Sequence, residues 1–170
     1  LIAPILEHRA EIVVGDRGML TSARIREDLK PADLDWITSL RASQIQQLVS
    51  AGDLQLSVFD EHDLAELTSD AFPGERLIAC RNPLLAEERA RKRRALLDAT
   101  ERQLEAIAVA THRAKRPLRG KDTIAVRVDR VVKRWKMGKH FRLTITETAF
   151  AYERDETAIA AEAALDGIYV

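Results

Sequence analysis

The first part of the fold is decided by the stretch Glu11-Ile12-Val13-Val14-Gly15-Asp16-Arg17-Gly18. Its β-branched side chains favour an extended strand. The run is apolar without strict alternation, which is typical of a strand buried on both faces. Asp16-Arg17-Gly18 then breaks the run with turn-forming residues. The stretch therefore predicts a buried strand over residues 11–15 with Asp16 at its carboxyl end.

The residues on either side of this strand extend the same pattern. Residues 2–9 are typical of the end of a helix, and Thr21 or Ser22 can cap a short helix over about residues 22–30 that Pro31 ends. Residues 34–40 predict a second strand. A strand–helix–strand order implies a parallel pair with a right-handed crossover. This is α/β organisation, in which functional groups are expected at the carboxyl ends of the strands.

The remainder of the chain alternates helical segments with hairpins. We expect helices over residues 43–50, 83–110, 121–136 and 155–164, hairpins over residues 64–81 and 141–152, and a final strand over residues 165–170. Pro83 suits the first turn of the long helix. The order is an α/β start, a long mixed segment and a return to a strand, which predicts one fold interrupted by another.

Charge is segregated along a chain whose net charge is zero. Residues 81–142 hold 19 Lys and Arg against 7 Asp and Glu, a net charge of +12, whereas residues 1–80 carry −7 and residues 143–170 carry −5. A basic block of this kind suggests a polyanionic partner. The alternative is a solvated helical face with acidic neighbours folded against it.

Two stretches of the basic block are candidates for contact with phosphates. The first is the run on the long predicted helix, and the second interleaves cations with Trp135, whose ring also fits the apolar stripe of its own helix. The candidate DNA-binding residues are Arg91, Lys92, Arg93, Arg94, Lys133, Arg134, Lys136, Lys139 and His140.

Asp16 is the sharpest candidate for chemistry. A carboxylate at the end of a buried strand can bind Mg²⁺, which takes one or two carboxylates together with water and phosphate oxygens. Two such ions can activate a nucleophile and stabilise a leaving oxygen in phosphoryl transfer. One carboxylate is not enough, and no second acidic residue stands out as its partner. The alternative is that Asp16 only caps the following turn.

Other site chemistries are excluded by the spacing of their residues. The four histidines form no pair at metal-ligand spacing and Cys80 has no cysteine partner, so neither zinc nor an internal disulfide is expected. No glycine-rich phosphate loop and no Gly-x-Ser-x-Gly motif occurs. No apolar stretch reaches the length of a membrane span.

Five segments, in order along the chain, match one family. They are Val13-Val14-Gly15-Asp16-Arg17-Gly18-Met19-Leu20, Phe59-Asp60-Glu61, Phe72-Pro73-Gly74-Glu75-Arg76-Leu77 with Arg81-Asn82-Pro83, Lys136-Met137-Gly138-Lys139-His140-Phe141 and Ala163-Ala164-Leu165-Asp166-Gly167-Ile168-Tyr169-Val170. This ordered set resembles bacterial insertion-sequence DDE transposases, in particular the insertion-sequence-4-like group. Within the resemblance, Asp16 corresponds to the second catalytic aspartate.

The resemblance implies an RNase H-like catalytic core interrupted by a mixed, largely helical insertion subdomain with β-hairpins. Residues 1–40 would belong to the core, residues 41–162 to the insertion with its basic helical pair at about residues 83–136, and residues 163–170 to the return strand. In this family an acidic triad binds Mg²⁺ or Mn²⁺ and cuts and joins transposon ends. The first Asp and the final Glu would lie outside this chain, which reads as an internal piece of a longer protein, inactive by itself.

The resemblance also implies a setting and partners. The expected partner is double-stranded DNA at the transposon ends, bound by a homodimer of the full-length protein in the bacterial cytoplasm, near the nucleoid. Two other functions remain open from the residues alone. One is a non-catalytic nucleic-acid or protein-binding module built on the basic helices, and the other is a small-molecule phosphotransferase that uses Asp16 as a metal ligand.

Overall fold

The computed structural model describes residues 11–16 and 18–170, and the predicted helix over residues 2–9 lies outside this range. The described chain is a mixed α/β structure of helices and small sheets, as the sequence predicts. Its contacts divide it into two compact units. The first comprises the described residues up to Arg81 together with Tyr169–Val170, and the second comprises Asn82–Ile168.

The first unit begins with the predicted parallel pair. Strand β1 (Ile12–Val14) pairs in parallel with β2 (Asp35–Ile37), with Val13 opposite Trp36. Between them, helix α1 (Ser22–Arg24) continues into a π-helical turn (Ile25–Leu29) and a 3-10 turn (Lys30–Ala32). The Thr21 hydroxyl caps α1 by accepting from the Arg24 N–H at 3.3 Å. Pro31 lies inside the last turn, and the helical segment ends at Asp33 in the left-handed conformation.

The prediction that the first strand is buried is wrong for two of its residues. The Ile12 side chain is 53% exposed and that of Val14 is 71% exposed. Parallel strands are apolar because other layers normally cover both faces. Among the described residues nothing covers these two side chains. The apolar sequence therefore predicted the strand correctly, but it did not predict which residues, if any, pack on its faces.

A helix and a small sheet complete the first unit. Helix α2 (Ala42–Ala51) ends at Gly52 in the left-handed conformation. Strands β3 (Leu64–Leu67) and β4 (Leu77–Arg81) form the predicted antiparallel hairpin. The division between the units falls within β7 (Ile168–Tyr169), the third strand of this sheet, beside β4.

The second unit packs two helices against a hairpin. Helix α3 (Pro83–Thr111) is capped by the Asn82 side chain and α4 (Lys121–Trp135) follows it. Strands β5 (Phe141–Ile145) and β6 (Phe150–Arg154) form the second predicted hairpin, and α5 (Glu156–Ala163) follows. The buried core comprises Leu97, Leu104, Ile107, Ile124, Val128, Met137, Phe141 and Phe150.

Near the end of the second unit, the backbone of Gly167 lies close to the backbone at the start of α3. The Asn82 N–H donates to the Gly167 carbonyl at 2.8 Å, and Gly167 has a φ of +75°. A Cβ at this position would overlap the Asn82 carbonyl oxygen and the Ala86 side chain. Both the conformation and the space therefore require glycine.

The unit boundary at Arg81 falls inside the predicted insertion of residues 41–162. Compactness groups residues 41–81 with the parallel pair, whereas the insertion was defined by resemblance to a family. The insertion boundaries therefore stay a prediction. Within the part of the chain that the structure covers, no helix has both the length and the apolar character needed to cross a membrane.

Candidate nucleic-acid interface

Asp16 lies two residues after the end of β1 and organises the turn that follows. Its Oδ1 atom accepts hydrogen bonds from the Gly18 N–H at 2.8 Å and the Met19 N–H at 2.9 Å. The preceding Gly15 N–H donates to the Ile37 carbonyl at 3.1 Å, so Asp16 stands at the carboxyl edge of the parallel pair. The position is the predicted one, and its observed contacts are those of a turn cap.

The described residues do not by themselves fit a Mg²⁺ or Mn²⁺ site. Asp16 contributes one carboxylate, and one of its oxygens already accepts two backbone hydrogen bonds. Within residues 11–16 and 18–170, no three His, Cys, Asp or Glu side chains cluster as a metal-binding group. Asp16 can serve as one ligand only if further carboxylates join it.

Two substitutions at Asp16 distinguish the contribution of its turn hydrogen bonds to stability from the contribution of its negative charge. Asp16→Asn keeps an oxygen that accepts the two N–H groups, so we expect the free energy of unfolding to change by less than about 0.5 kcal/mol. Asp16→Ala removes both bonds and is expected to cost about 1 kcal/mol, as loss of a cap does. Urea denaturation followed by circular dichroism measures both. If both variants lost the same free energy of unfolding, the interpretation of Asp16 as a turn cap would be contradicted.

Two members of the predicted DNA-binding set are buried and paired. Arg93 lies on the α3 stripe that continues through Leu97 and Leu104, and its guanidinium binds the Asp166 carboxylate through both Nη atoms, one of them at 2.9 Å. His140 is fully buried, and its Nε2 lies 3.0 Å from an oxygen of Glu162. The structure removes Arg93 and His140 from the exposed basic surface, because phosphates cannot reach them in this conformation.

Two predicted lysines are exposed but have acidic partners. The Lys133 ammonium lies 2.8 Å from Asp129, one helical turn earlier on α4. Lys139 pairs with Glu162, which also contacts His140. Burial raises the pKa of Glu162, but Lys139 and His140 more than offset this, so that its pKa lies below its ordinary value near 4.5. The charge of each lysine is therefore partly neutralised by its acidic partner. A phosphate would have to compete with that carboxylate for the ammonium group.

The depressed pKa of Glu162 gives the second unit an acid-sensitive contact. A carboxyl group whose pKa is lower in the folded state stabilises that state above its ordinary pKa, and this contribution is lost as pH falls through the folded-state value. We expect Glu162→Gln to lose less stability than the wild type between about pH 6 and about pH 3. Urea titrations at the two pH values measure this. The exposed control Glu88→Gln should behave like the wild type, and an unchanged acid sensitivity in Glu162→Gln would contradict the assignment.

The exposed side of α4 carries a set of arginines that the sequence-based prediction largely missed. Arg127, Arg130 and Arg134 are exposed and recur at i, i+3 and i+7, which places them within about 60° of one another around the helix. We call these three residues the arginine face. Along the axis they span roughly 10 Å. Only Arg134 belonged to the predicted set, because that set follows runs of cations in the sequence and not their spacing around a helix.

The arginine face is separated from the acidic residues of its own helix. Around α4, Asp122 lies about 80° or more and Asp129 about 100° or more from each member of the face, and Asp129 is taken by Lys133. Among the described residues no Asp or Glu forms an ion pair with any member of the face. The Arg134 guanidinium lies 5.1 Å from the centre of the Trp135 ring, which packs against the core. Three unneutralised guanidinium groups therefore share one side of a helix.

The loop between α3 and α4 adds cations at the start of that helix. Arg113, Lys115 and Arg116 are exposed. Arg119 anchors the loop, because its Nη1 donates to the carbonyls of Thr111 and Thr148, the latter at 2.6 Å. The loop is thus tied to the end of α3 and to the turn of the β5–β6 hairpin.

The remaining predicted residues do not form a single face. Arg91, Lys92 and Arg94 are exposed on α3, and Lys136 is exposed where α4 ends in the left-handed conformation. At about 100° per residue, Lys92 and Arg94 lie on opposite sides of Arg93, and Arg91 points away from the core. Arg91 and Arg94 lie about 60° apart, but Lys92 lies about 100° or more from both, so these cations make a less defined phosphate site than the arginine face does.

The geometry suits contact with a phosphate backbone. Guanidinium groups present paired donors that match phosphate oxygens. A comparison of the chain with protein-family models, curated proteins and solved structures found no match.

Proposed function

We propose that the second unit binds double-stranded DNA through the arginine face, in a protein that cuts and joins DNA as insertion-sequence transposases do. The observation that carries the DNA-binding part is the arginine face itself, with three exposed guanidinium groups and no acidic partner among the described residues. The catalytic part rests on the resemblance and on Asp16, which follows a strand of a parallel pair.

The energetic basis of this binding is neutralisation of phosphate charge. A protein that neutralises phosphates releases condensed counterions, so its affinity falls linearly with salt on logarithmic axes, with a slope of about −0.9 per phosphate. Such contacts position a protein on DNA without reading its sequence. The exposed loop cations Arg113, Lys115 and Arg116 would extend the contact.

Catalysis in this proposal depends on an RNase H-like core that supplies Mg²⁺ or Mn²⁺ ligands in addition to Asp16. A homodimer that joins two transposon ends, and a location in the bacterial cytoplasm near the nucleoid, belong to the same proposal. The phosphotransferase alternative has less support, because it leaves the arginine face without a role.

A non-catalytic DNA-binding module is the second candidate, favoured by the hydrogen bonds that explain Asp16 as a turn cap. The two candidates differ in what Asp16→Asn does in a polypeptide that carries the complete catalytic domain. The transposase proposal predicts loss of strand cleavage with DNA binding retained. Unimpaired cleavage, or a complete domain without further carboxylates, would leave only the binding module.

DNA binding is tested by fluorescence anisotropy of a labelled duplex, titrated with the chain at several salt concentrations. We expect the logarithm of the association constant to fall with the logarithm of salt with a slope of roughly −2.7 or steeper, as three or more phosphate contacts require. Absence of binding at low salt, or binding that does not respond to salt, would contradict the proposal.

A further inference from the structure

The first unit contains a cleft of about 590 Å³ at the carboxyl-terminal edge of the β1–β2 pair. Thr21 and Ser22, which follow β1, and Thr38 and Ser39, which follow β2, contribute to its lining. Small-molecule sites typically have volumes of roughly 300–1,000 Å³, and in open parallel sheets ligands bind beyond the carboxyl ends of strands. The volume and the position are therefore those of a ligand site.

The charges that line the cleft favour an anion. Arg26, Lys30 and Arg41 contribute cations, and Glu75 contributes a carboxylate. Lys30 lies 3.7 Å from Glu75 and over the Trp36 ring, and Arg26 pairs with Glu27. Arg41 is exposed and has no acidic partner among the described residues. Arg41 is thus the cation most available to a ligand.

Polar groups beside Arg41 are suited to a phosphate. Helix α2 begins at Ala42, and the Gln44 N–H of its first turn donates to the Arg41 carbonyl at 2.9 Å, which leaves the N–H groups of Ala42 and Ser43 without an acceptor within the helix. Ser43 of the same turn lines the cleft.

An aromatic side chain completes the lining. Phe72 is half-buried and borders the cleft together with the apolar side chains of Leu20 and Ile25. Nucleotides combine a phosphate, which pairs with arginine, with a flat base, which stacks on aromatic rings. A simple inorganic anion would use the cations and leave the aromatic side unoccupied.

We propose that this cleft binds a nucleotide unit, with its phosphate at Arg41 and the first turn of α2 and its base against Phe72. The unit is either a free nucleotide or one nucleotide of a DNA strand. The site lies in the first unit and shares no residue with the arginine face, so its failure would leave the DNA binding of the second unit untouched, and the reverse also holds.

Isothermal titration calorimetry of the whole chain tests the site with three probes: thymidine 5′-monophosphate, thymidine and inorganic phosphate. We expect the monophosphate to bind at least about tenfold more tightly than either of the others, because only it engages both sides of the cleft. Arg41→Gln and Phe72→Leu should each weaken it by about fivefold or more. Arg76→Gln, an exposed arginine outside the lining, should leave the affinity unchanged.

The same titrations distinguish a free nucleotide from a nucleotide of a DNA strand, and they also include results that would overturn the proposal. A thymidine trinucleotide that competes for the site and binds at least about tenfold more tightly than the monophosphate identifies a DNA strand, and comparable affinities identify a free nucleotide. The proposal is overturned if inorganic phosphate binds as tightly as the monophosphate, if Arg41→Gln binds like Arg76→Gln, or if no probe binds.

Discussion

Asp166→Ala is expected to lower the free energy of unfolding of the second unit by about 3 kcal/mol. The carboxylate binds the Arg93 guanidinium through two hydrogen bonds, and the two side chains are only 9% and 11% exposed. Hydrogen bonding to Asp166 raises the pKa of Arg93 further above its already high ordinary value. When that partner is removed the guanidinium still stays charged, because arginine is not deprotonated in proteins. An uncompensated buried charge costs more than the ion pair contributes.

Two further variants show whether burial is the cause. Asp129→Ala removes a carboxylate from the exposed pair with Lys133 and should change the free energy of unfolding by less than about 0.5 kcal/mol. The double variant Arg93→Met with Asp166→Leu leaves no unpaired charge and should recover most of the loss. Urea denaturation followed by circular dichroism measures all three. A loss below about 1 kcal/mol in Asp166→Ala would mean that water reaches Arg93.

Replacing Arg127, Arg130 and Arg134 together with glutamine is expected to weaken duplex binding roughly 100-fold near 0.1 M salt. Each lost contact is expected to cost about 1 kcal/mol of binding free energy. Three lost contacts therefore cost about 3 kcal/mol, which corresponds to a roughly 100-fold lower affinity. The salt slope should become shallower by roughly 2.7. Because all three side chains are exposed, stability should change little, and anisotropy reports the effect on binding directly.

A second triple variant that removes the same total charge shows whether DNA affinity depends on the arginine face itself or only on the net charge of the chain. Arg24, Arg76 and Arg142 are exposed, and none of them belongs to the arginine face or to the lining of the cleft in the first unit. Their replacement with glutamine removes the same total charge but should change the affinity by no more than about threefold. If both triple variants lose affinity equally, DNA responds to overall charge and the arginine face has no special role.

Local patterns predicted most of the secondary structure. The β-branched run at residues 12–14 and the strand–helix–strand order led to the parallel pair, because both signals are contained in adjacent residues. The apolar stripe of α4, through Ile124 and Val128, likewise placed its buried side correctly. The bounds of these elements differ from the predicted ones by a few residues at most. The right-handed crossover and the RNase H-like core stay predictions.

Side-chain environments were less predictable, because they depend on residues distant in sequence. Arg93 cannot be told from its neighbours in the run Arg91–Arg94 unless its alignment with Leu97 and Leu104 is noticed, and its partner Asp166 is 73 residues away. His140 is buried against Glu162, which comes from α5. The arginine face had a sequence signal, namely arginines that recur at i, i+3 and i+7 beside the apolar stripe of α4, whereas the cleft of the first unit had none.

The most direct test of DNA binding by the second unit is a nuclear magnetic resonance titration of the isotope-labelled chain with a short duplex at low salt. We predict that amide shifts concentrate on the exposed side of α4, between Thr123 and Arg134, and on the loop at residues 113–116, and that added salt reverses them. Shifts confined to the first unit, or no shifts at all, would contradict DNA binding through the arginine face.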